Sequence, residues 1–561
     1  MRTTILRQML GCACALGALA VPGVAFAQDS TDEGDDASSE QGPQQRSARQ
    51  QTRISPYIEA SQVLIKNLEP GDDLVTYTTV AAGVDASVAG RNSAASVSLR
   101  YERRIGWDDD TLDGDTISGV ARASIALVPR AVTIEAGALA AQTRVEGTGA
   151  ASIGGFAGND DSTSQIYAGY IGPSVRTSAG DVEIEGHYRF GYTRVGAPDV
   201  VLGGPGSTPV DLFDESTTHS ASARAGVRPN TVVPIGVGIG GGWNEQNVSN
   251  LDQRIRDRYV RADVTVPLSP NLALVGGVGY EDVEVSSRDA VRDTLGNPVV
   301  GPDGRYITDE NSPRLIAYET DGLIWDAGVL WRPSRRTSFE AHVGRRYGSM
   351  TYYGNFAYAP NSSTSINVAV YDSVTSFGGQ LVNTLATLPA QFAAFRNPIT
   401  GQIGGCVASL QGGSCFNGAL GGLSSAVFRS RGIASGISVD LGRTQLGVGA
   451  GYDRRSFLAN PGSALGLANG VVDESLWYAL YGTTQLDQRS SLTANANVAW
   501  YESGANLAAD VLGYSASLAY NRSIWRGLSA TAAVGLDGIE RENLIDFMSA
   551  SGLLGLRYTF N

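Results

Sequence analysis

From about residue 55 to the C-terminus, apolar residues recur at every second position in segments of ten residues or more. Residues 181–193 are representative: Val182, Ile184, Gly186, Tyr188, Phe190 and Tyr192 share one parity, and Glu183, Glu185, His187, Arg189 and Thr193 hold the other. A period of two sends successive side chains to opposite faces of a strand. The separation recurs where Val97, Leu99 and Tyr101 alternate with Ser98, Arg100 and Glu102. It recurs again where Val260, Ala262, Val264 and Val266 alternate with Tyr259, Arg261, Asp263 and Thr265, and where Phe339, Ala341 and Val343 oppose Ser338, Glu340 and His342. Segments of this length are long enough for a tilted strand to cross a bilayer.

The connections alternate in length. Tight turns rich in Gly, Pro and Asn fall at residues 89–93, 128–130, 178–180, 228–230, 269–271, 332–336, 360–363, 442–443, 487–490 and 525–527. Between them lie longer polar connections at residues 107–115, 147–163, 196–215, 287–312 and 376–427. Strands are then expected to start near residues 55, 74, 94, 115, 131, 164, 181, 217, 231, 256, 271, 318, 336, 351, 364, 428, 443, 474, 491, 510, 527 and 546. The expected fold is therefore all-β: a transmembrane antiparallel β-barrel of about 22 strands (20 to 22), with short periplasmic turns and long extracellular loops. An even number puts both ends of the barrel on the short-turn side.

Composition removes the competing classes. Charged residues make up 17% of the chain and 70 of its 561 residues are glycine, against usual shares of about 25% and about 7% in soluble domains. After residue 27 no apolar run is long enough for a membrane helix. The chain carries 56 acidic and 42 basic residues with Lys66 as its single lysine, which argues against a nucleic-acid partner. Arg2 and Arg7 precede an apolar run closed by Ala25-Phe26-Ala27, so residues 1–27 read as a signal peptide. Its removal takes two arginines and shifts the net charge from −14 to −16. Residues 28–54 are polar and carry Asp29, Asp32, Glu33, Asp35, Asp36 and Glu40, and read as a disordered periplasmic tail too short for a plug domain. The barrel is then expected to span residues 55–561, in the outer membrane of a Gram-negative bacterium.

The charged parity should face a watery lumen. The candidates are Arg100, Glu102, Arg104, Arg122, Glu183, Glu185, Arg189, Arg261, Asp263, Glu340 and Arg346. Opposed arginines and carboxylates can select polar or charged solutes; they can equally serve only to hydrate and brace the lumen. Cys406 and Cys415 remain after processing, and an even pair in an oxidising compartment is expected to form a structural disulfide. In the same loop, residues 377–395 carry Leu381, Leu385, Leu388, Phe392 and Phe395 at helical spacing, interrupted by Pro389. A short broken helix there would either narrow the lumen or cap it from outside. Asp108, Asp109, Asp110, Asp113 and Asp115 cluster in one loop, but the twelfth position of a calcium loop starting at Asp109 is Val120 rather than glutamate. His187, His219 and His342 lie on separate strands without metal-ligand spacing. No catalytic motif, metal site or cofactor is expected, and the chain does not read as an enzyme.

Two resemblances add to this reading. Leu554, Leu556, Tyr558 and Phe560 form an apolar-aromatic final strand, which resembles the signal read by the barrel assembly machinery, although Asn561 follows where that pattern ends on the aromatic. WRPSRRTSFEAHVGRRYG at residues 331–348 and YAPNSSTSINVAVYDSVTS at residues 358–376 resemble a unit of outer-membrane porin-like barrels encoded with exopolysaccharide and exosortase systems. The Cys406 to Cys415 loop and FRSRGI at residues 428–433 look like the same family. On that resemblance Trp331, Arg332, Pro333, Gly344, Arg345, Arg346 and Tyr347 mark a periplasmic hairpin rather than a catalytic centre. It implies a porin-like passage, linked to exopolysaccharide export or solute diffusion. The alternative is a structural or surface-binding protein with an occluded lumen. Partners would be outer-membrane lipid and lipopolysaccharide, the assembly machinery and polysaccharide.

Overall fold

The computed structural model describes residues 51–71, 73–107, 113–146, 149–153, 162–198, 211–505, 510–542 and 544–560. One antiparallel sheet holds 23 strands; the three-residue strand Ala151–Ile153 sits on the end of Val132–Val145, and the other 22 form a closed ring. Each barrel strand pairs with its sequence neighbours, and the first strand, Gln51–Glu69, pairs on its other side with the last, Phe547–Thr559. Closure matters because lipid offers no partner for an edge strand's amides and carbonyls.

The strand positions follow the sequence pattern closely, with two larger departures. The first strand begins at Gln51 rather than near residue 55, because Gln51–Ile54 pair with Ala86–Ala89. Pro56 lies at the end of the pairing with the last strand, where its carbonyl accepts from Phe560 N at 2.9 Å and its missing N–H is tolerated. The strand expected near residue 231 begins at Gly236. Pro234, which has no N–H to pair, lies in a turn entered through Asn230 at φ 63°.

The barrel is apolar outside. Val534 is 60% exposed and Leu554 70%, whereas inward-facing Glu102 is 2% exposed and Asp453 1%. Exposed aromatics gather at both ends of the wall. Trp331, Tyr358, Trp525, Tyr558 and Phe560 stand near the short turns, and Tyr101, Trp107, Tyr192, Tyr280 and Tyr352 near the long loops. At the latter end Tyr101, Tyr192 and Tyr280 donate to Asp115, Glu215 and Asp321 at 2.9, 2.7 and 3.2 Å. Rings flanking an apolar belt, with hydroxyls turned to polar partners, match the two water interfaces of a bilayer.

The glycine content has a packing use. Tyr57 pairs directly with Gly83, Tyr170 with Gly137, Tyr259 with Gly242, Trp477 with Gly451 and Tyr481 with Gly447. In each pair a Cβ on the glycine would overlap the partner ring. These aromatic side chains lie flat along the inner wall because the neighbouring strand offers bare backbone at that point, a cross-strand seat that also pins the register.

Val534 lies mid-strand on the outer face. Val534→Arg is expected to destabilise the barrel in lipid by about 2–4 kcal/mol, read by reversible denaturant titration in vesicles. Unchanged stability would contradict the assignment of this face to lipid.

Candidate functional site: an inward-folded loop and the vestibule beside it

Residues 376–427, the longest connection, fold into the lumen. Ser376 opens a helix by accepting from the Gly379 N–H at 3.2 Å, and the helix runs Phe377–Ala386. Phe377, Leu381, Val382 and Leu385 are fully buried, at spacings that form one apolar face. That face packs on the inner wall formed by Val132–Val145, Thr163–Ala179 and Val182–Val195, in a cluster that includes Leu139, Ile166 and Tyr170. Gly191 leaves the room that Val382 fills. Burying these four side chains stabilises the docked helix by roughly 1.5–3 kcal/mol each.

The helix is shorter than the apolar spacing to Phe395 suggests. It stops before Pro389, whose ring would clash with the preceding turn. The chain then forms Ala393–Arg396, which pairs with Ile403–Ala408, and that strand pairs with Ser414–Cys415. Cys406 and Cys415 are direct register partners in this small sheet and form a disulfide.

Polar contacts fasten the sheet to the wall. Arg396 donates to Ser118 Oγ at 2.7 Å, Gly401 O at 2.9 Å and Ser98 Oγ at 3.0 Å; burial pushes its guanidinium below the usual value. Arg122 donates to Leu388 O at 3.1 Å, Asn495 to Arg396 O at 2.8 Å, and Ser365 to Ser409 O at 3.0 Å. Arg455 donates to Gly418 O at 2.7 Å and to Gln380 Oε1 at 2.9 Å. The loop is therefore held from well-separated strands of the ring.

Other loops lace the same end. Arg305 donates to Val195 O and Phe213 O, both at 2.9 Å. Asp211 accepts from Ser425 Oγ at 2.6 Å, Tyr306 N at 3.0 Å and Asn250 Nδ2 at 3.1 Å. Burial raises the Asp211 carboxyl, opposed by these donors.

The charged residues singled out in the sequence all lie on inner-wall parities, but they form no single ring. Arg100 bridges Glu59 and Glu102 at 2.9 and 2.8 Å, and Arg104 lies 3.7 Å from Glu102, all beneath the loop. Arg122 pairs with Glu135 at 2.9 Å. Glu183 pairs with Arg228 and Glu185 with Arg176. Arg189 donates to Asn383 of the helix at 3.3 Å. Arg261 meets Asp326 at 2.8 Å, and Asp263 meets Arg224. Glu340 contacts His342 Nε2 at 2.9 Å, while Asp326 contacts its Nδ1 at 3.0 Å. Arg346 pairs with Asp257 at 2.8 Å and Glu281 at 3.2 Å.

Several partners escaped the sequence reading: Arg224, Asp257, Glu281, Asp326, Asp372 and Asp453. Arg224 sits in Glu215–Val227, whose small residues leave no apolar parity to read. Asp257 shares its strand and parity with Arg261 and Asp263, whereas Glu281, Asp326, Asp372 and Asp453 lie on strands from which no charged residue was singled out. The motif does not form one periplasmic hairpin: Trp331 to Pro333 lie at the short turn, but Gly344 to Tyr347 run to the opposite, long-loop end, in a tight turn with Tyr347 at φ 52° and Gly348 at φ 65°, the geometry of a two-residue hairpin. Tyr347 N donates to Glu281 and its hydroxyl to Asp257, which fixes this unusual backbone in place.

Leu556, Tyr558 and Phe560 face outward near the short turns, and the last two rings meet edge-on at 5.0 Å. Asp113 and Asp115 both lie against Arg103; Asp108 to Asp110, like residues 1–50, lie outside the described residues. Among the described residues no three His, Cys, Asp or Glu side chains converge in a metal-holding group.

Below the docked helix the lumen wall is open. A vestibule of about 640 Å³ at the short-turn end is lined by residues that include Arg130, Arg176, Arg224 and Arg261, with Glu185, His187 and Asp263 among them.

The chain matches no family model and no curated protein. Similar solved structures include the FrpB iron transporter of Neisseria meningitidis (F5-1 variant, apoprotein form), at 11% identity and TM-score 0.41, covering 90% of this chain and 81% of that one. The siderophore receptor PirA of Pseudomonas aeruginosa matches at 10% identity and TM-score 0.34, covering 90% and 80%. The open form of the ferric-catecholate import receptor Fiu of E. coli matches at 10% identity and TM-score 0.38, covering 90% and 81%. At these values the likeness carries nothing about what this chain moves. The outer-membrane type of barrel rests on its own closed ring, apolar belt and charged lumen.

Leu381→Ala and Leu385→Ala should each cost the docked helix about 2–5 kcal/mol. The expected result is faster amide hydrogen exchange in residues 376–427 with the barrel strands unchanged. Equal protection in the loop would mean that the apolar cluster does not hold it.

Proposed function

We propose that the chain is an outer-membrane transport protein whose lumen is gated by its own loop at residues 376–427. The observation that carries this reading is the combination of a 22-strand ring, wide enough to enclose an aqueous path, with an internal segment docked on its inner wall by apolar packing and side-chain hydrogen bonds. The short turns and the N-terminal segment face the periplasm, and the long loops face outside, as in barrels of this type. Lipid and lipopolysaccharide surround the belt, and the last strand, with Leu556, Tyr558 and Phe560, is the segment presented to the assembly machinery.

The wide lumen that strand number alone implies is narrowed by the loop, so an unobstructed porin is not the form proposed. Charged and hydroxyl side chains on the inner wall fit a polar solute. The resemblance of residues 331–376 to barrels of exopolysaccharide systems makes polysaccharide or its fragments the class to test first.

Planar-bilayer conductance decides the matter. Wild-type protein is expected to conduct weakly, and a variant with residues 378–425 replaced by a Gly/Ser linker to conduct several-fold more. A folded loop variant that remains sealed at all voltages would overturn the transport reading and favour a structural or surface-binding role with an occluded lumen.

A further inference from the structure

The vestibule beside the loop is built in a particular way. On the inner face of Gly236–Val248, Gly238, Gly240 and Gly242 follow one another at alternate positions, with Gly277 and Gly279 continuing the pattern on Leu272–Ser287. The missing side chains are not replaced by filler. A Cβ at Gly238 would overlap the Arg224 guanidinium, and one at Gly277 the Arg261 guanidinium. Bare backbone on these strands thus lets two arginines lie flat against the wall.

Each guanidinium has five N–H donors. Arg224 commits Nε and Nη2 to Asp263 at 3.0 and 2.5 Å, and Arg261 commits Nη2 to Asp326 at 2.8 Å. Those carboxylates orient the guanidinium groups without using all their donors. Arg176, half-facing Glu185 at 2.9 Å, and Arg130 add two more cations to the rim. Four arginines therefore line the cavity with two carboxylates, Glu185 and Asp263, while Asp326 holds Arg261 from outside the lining, so the cations still outnumber the carboxylates by one. The remaining polar wall is hydroxyl and imidazole: Thr133, Ser174, and Ser222, whose Oγ lies 2.9 Å from His187 Nδ1. A volume of about 640 Å³ falls in the usual range of small-molecule sites and gives room for one or two sugar rings.

We infer that this vestibule binds a hydroxylated carboxylate, a uronic-acid mono- or disaccharide in size and charge, with Arg224 and Arg261 as its carboxylate-recognising forks. Planar guanidinium groups suit a carboxylate, and the hydroxyl and histidine lining suits a polyol. The inference deepens the transport reading, because it names the solute class that pauses in the lumen, but it is tested separately from passage.

The experiment is calorimetric titration of the purified barrel in detergent with glucuronate, glucose and acetate. Glucuronate is expected to bind at least about tenfold more tightly than either control, since both the charge and the hydroxyls contribute hydrogen bonds. Arg224→Gln combined with Asp263→Asn, which leaves no orphaned carboxylate, should weaken glucuronate by about tenfold or more and leave glucose unchanged. Heat-modifiable electrophoretic migration identifies variants that fold, and Arg224→Lys, which keeps the charge and loses the fork, serves as the second variant with partial loss expected. Equal affinity for glucuronate and glucose, acetate binding as tightly as glucuronate, or a folded double variant with unchanged affinity would each overturn the inference. A barrel that binds glucuronate but does not conduct would support this site while refuting transport.

Discussion

Everything in this molecule follows from the need to pair backbone N–H and C=O groups where no water reaches them. A sheet that must leave no edge has to close, and closure sets the rest. Gln51–Glu69 is held between its sequence neighbour and the last strand of the chain, so the final residues complete the structure. Closure also fixes two surfaces with opposite demands. The outer one exposes Val534, Leu554 and Ile239 to lipid, while the inner one holds Arg100, Glu102 and Asp453.

A wide ring creates its own difficulty, because inward side chains cannot meet across it. The structure answers at two scales. Along the wall, aromatic and guanidinium groups lie flat on glycines of the adjacent strand, and arginines pair with carboxylates one or two strands away. Across the space, residues 376–427 supply an interior. Its helix brings apolar residues to meet Leu139, Ile166 and Tyr170, while its small sheet brings Arg396 to the hydroxyls of Ser98 and Ser118.

The barrel was legible in the sequence because lipid and lumen impose a strict period of two, and tight turns carry their own chemistry. The strand starting at Gly236 was placed five residues early for the same reason in reverse: residues 231–235 are apolar enough to continue the pattern, and only the backbone shows that Asn230 and Pro234 make a turn. The helix of the long loop was legible in its apolar spacing, but its C-terminal half was not, since Phe392 and Phe395 keep helical spacing while Pro389 has already ended the helix. Pairing partners were hardest to read. Parity shows that Arg261 faces inward, but not that Asp326, 65 positions away, is what it meets.

Both halves of the inward loop are held by apolar packing, each against its own part of the wall. Withdrawing the helix would expose Phe377, Leu381, Val382 and Leu385 and empty the space above Gly191, a loss that water cannot repay. The sheet half is held by hydrogen bonds that involve Arg396, Asn495 and Ser365, and equally by apolar packing, with Phe395 against Trp477 and Tyr481 and Ile399 against Val63, Ile65 and Tyr77. Exchanging each such bond for one to water carries a net cost of only about 1 kcal/mol, but release would also expose Phe395, Ile399, Ile403 and Val407, at roughly 1.5–3 kcal/mol for each large apolar side chain. The disulfide between Cys406 and Cys415 keeps the small sheet intact whether or not it is docked. The two halves are thus rooted on different arcs of the ring: the helix on Val132–Val145, Thr163–Ala179 and Val182–Val195, which also line the vestibule, and the stapled sheet on Gly114–Val128, Thr444–Phe457 and Val472–Gln485.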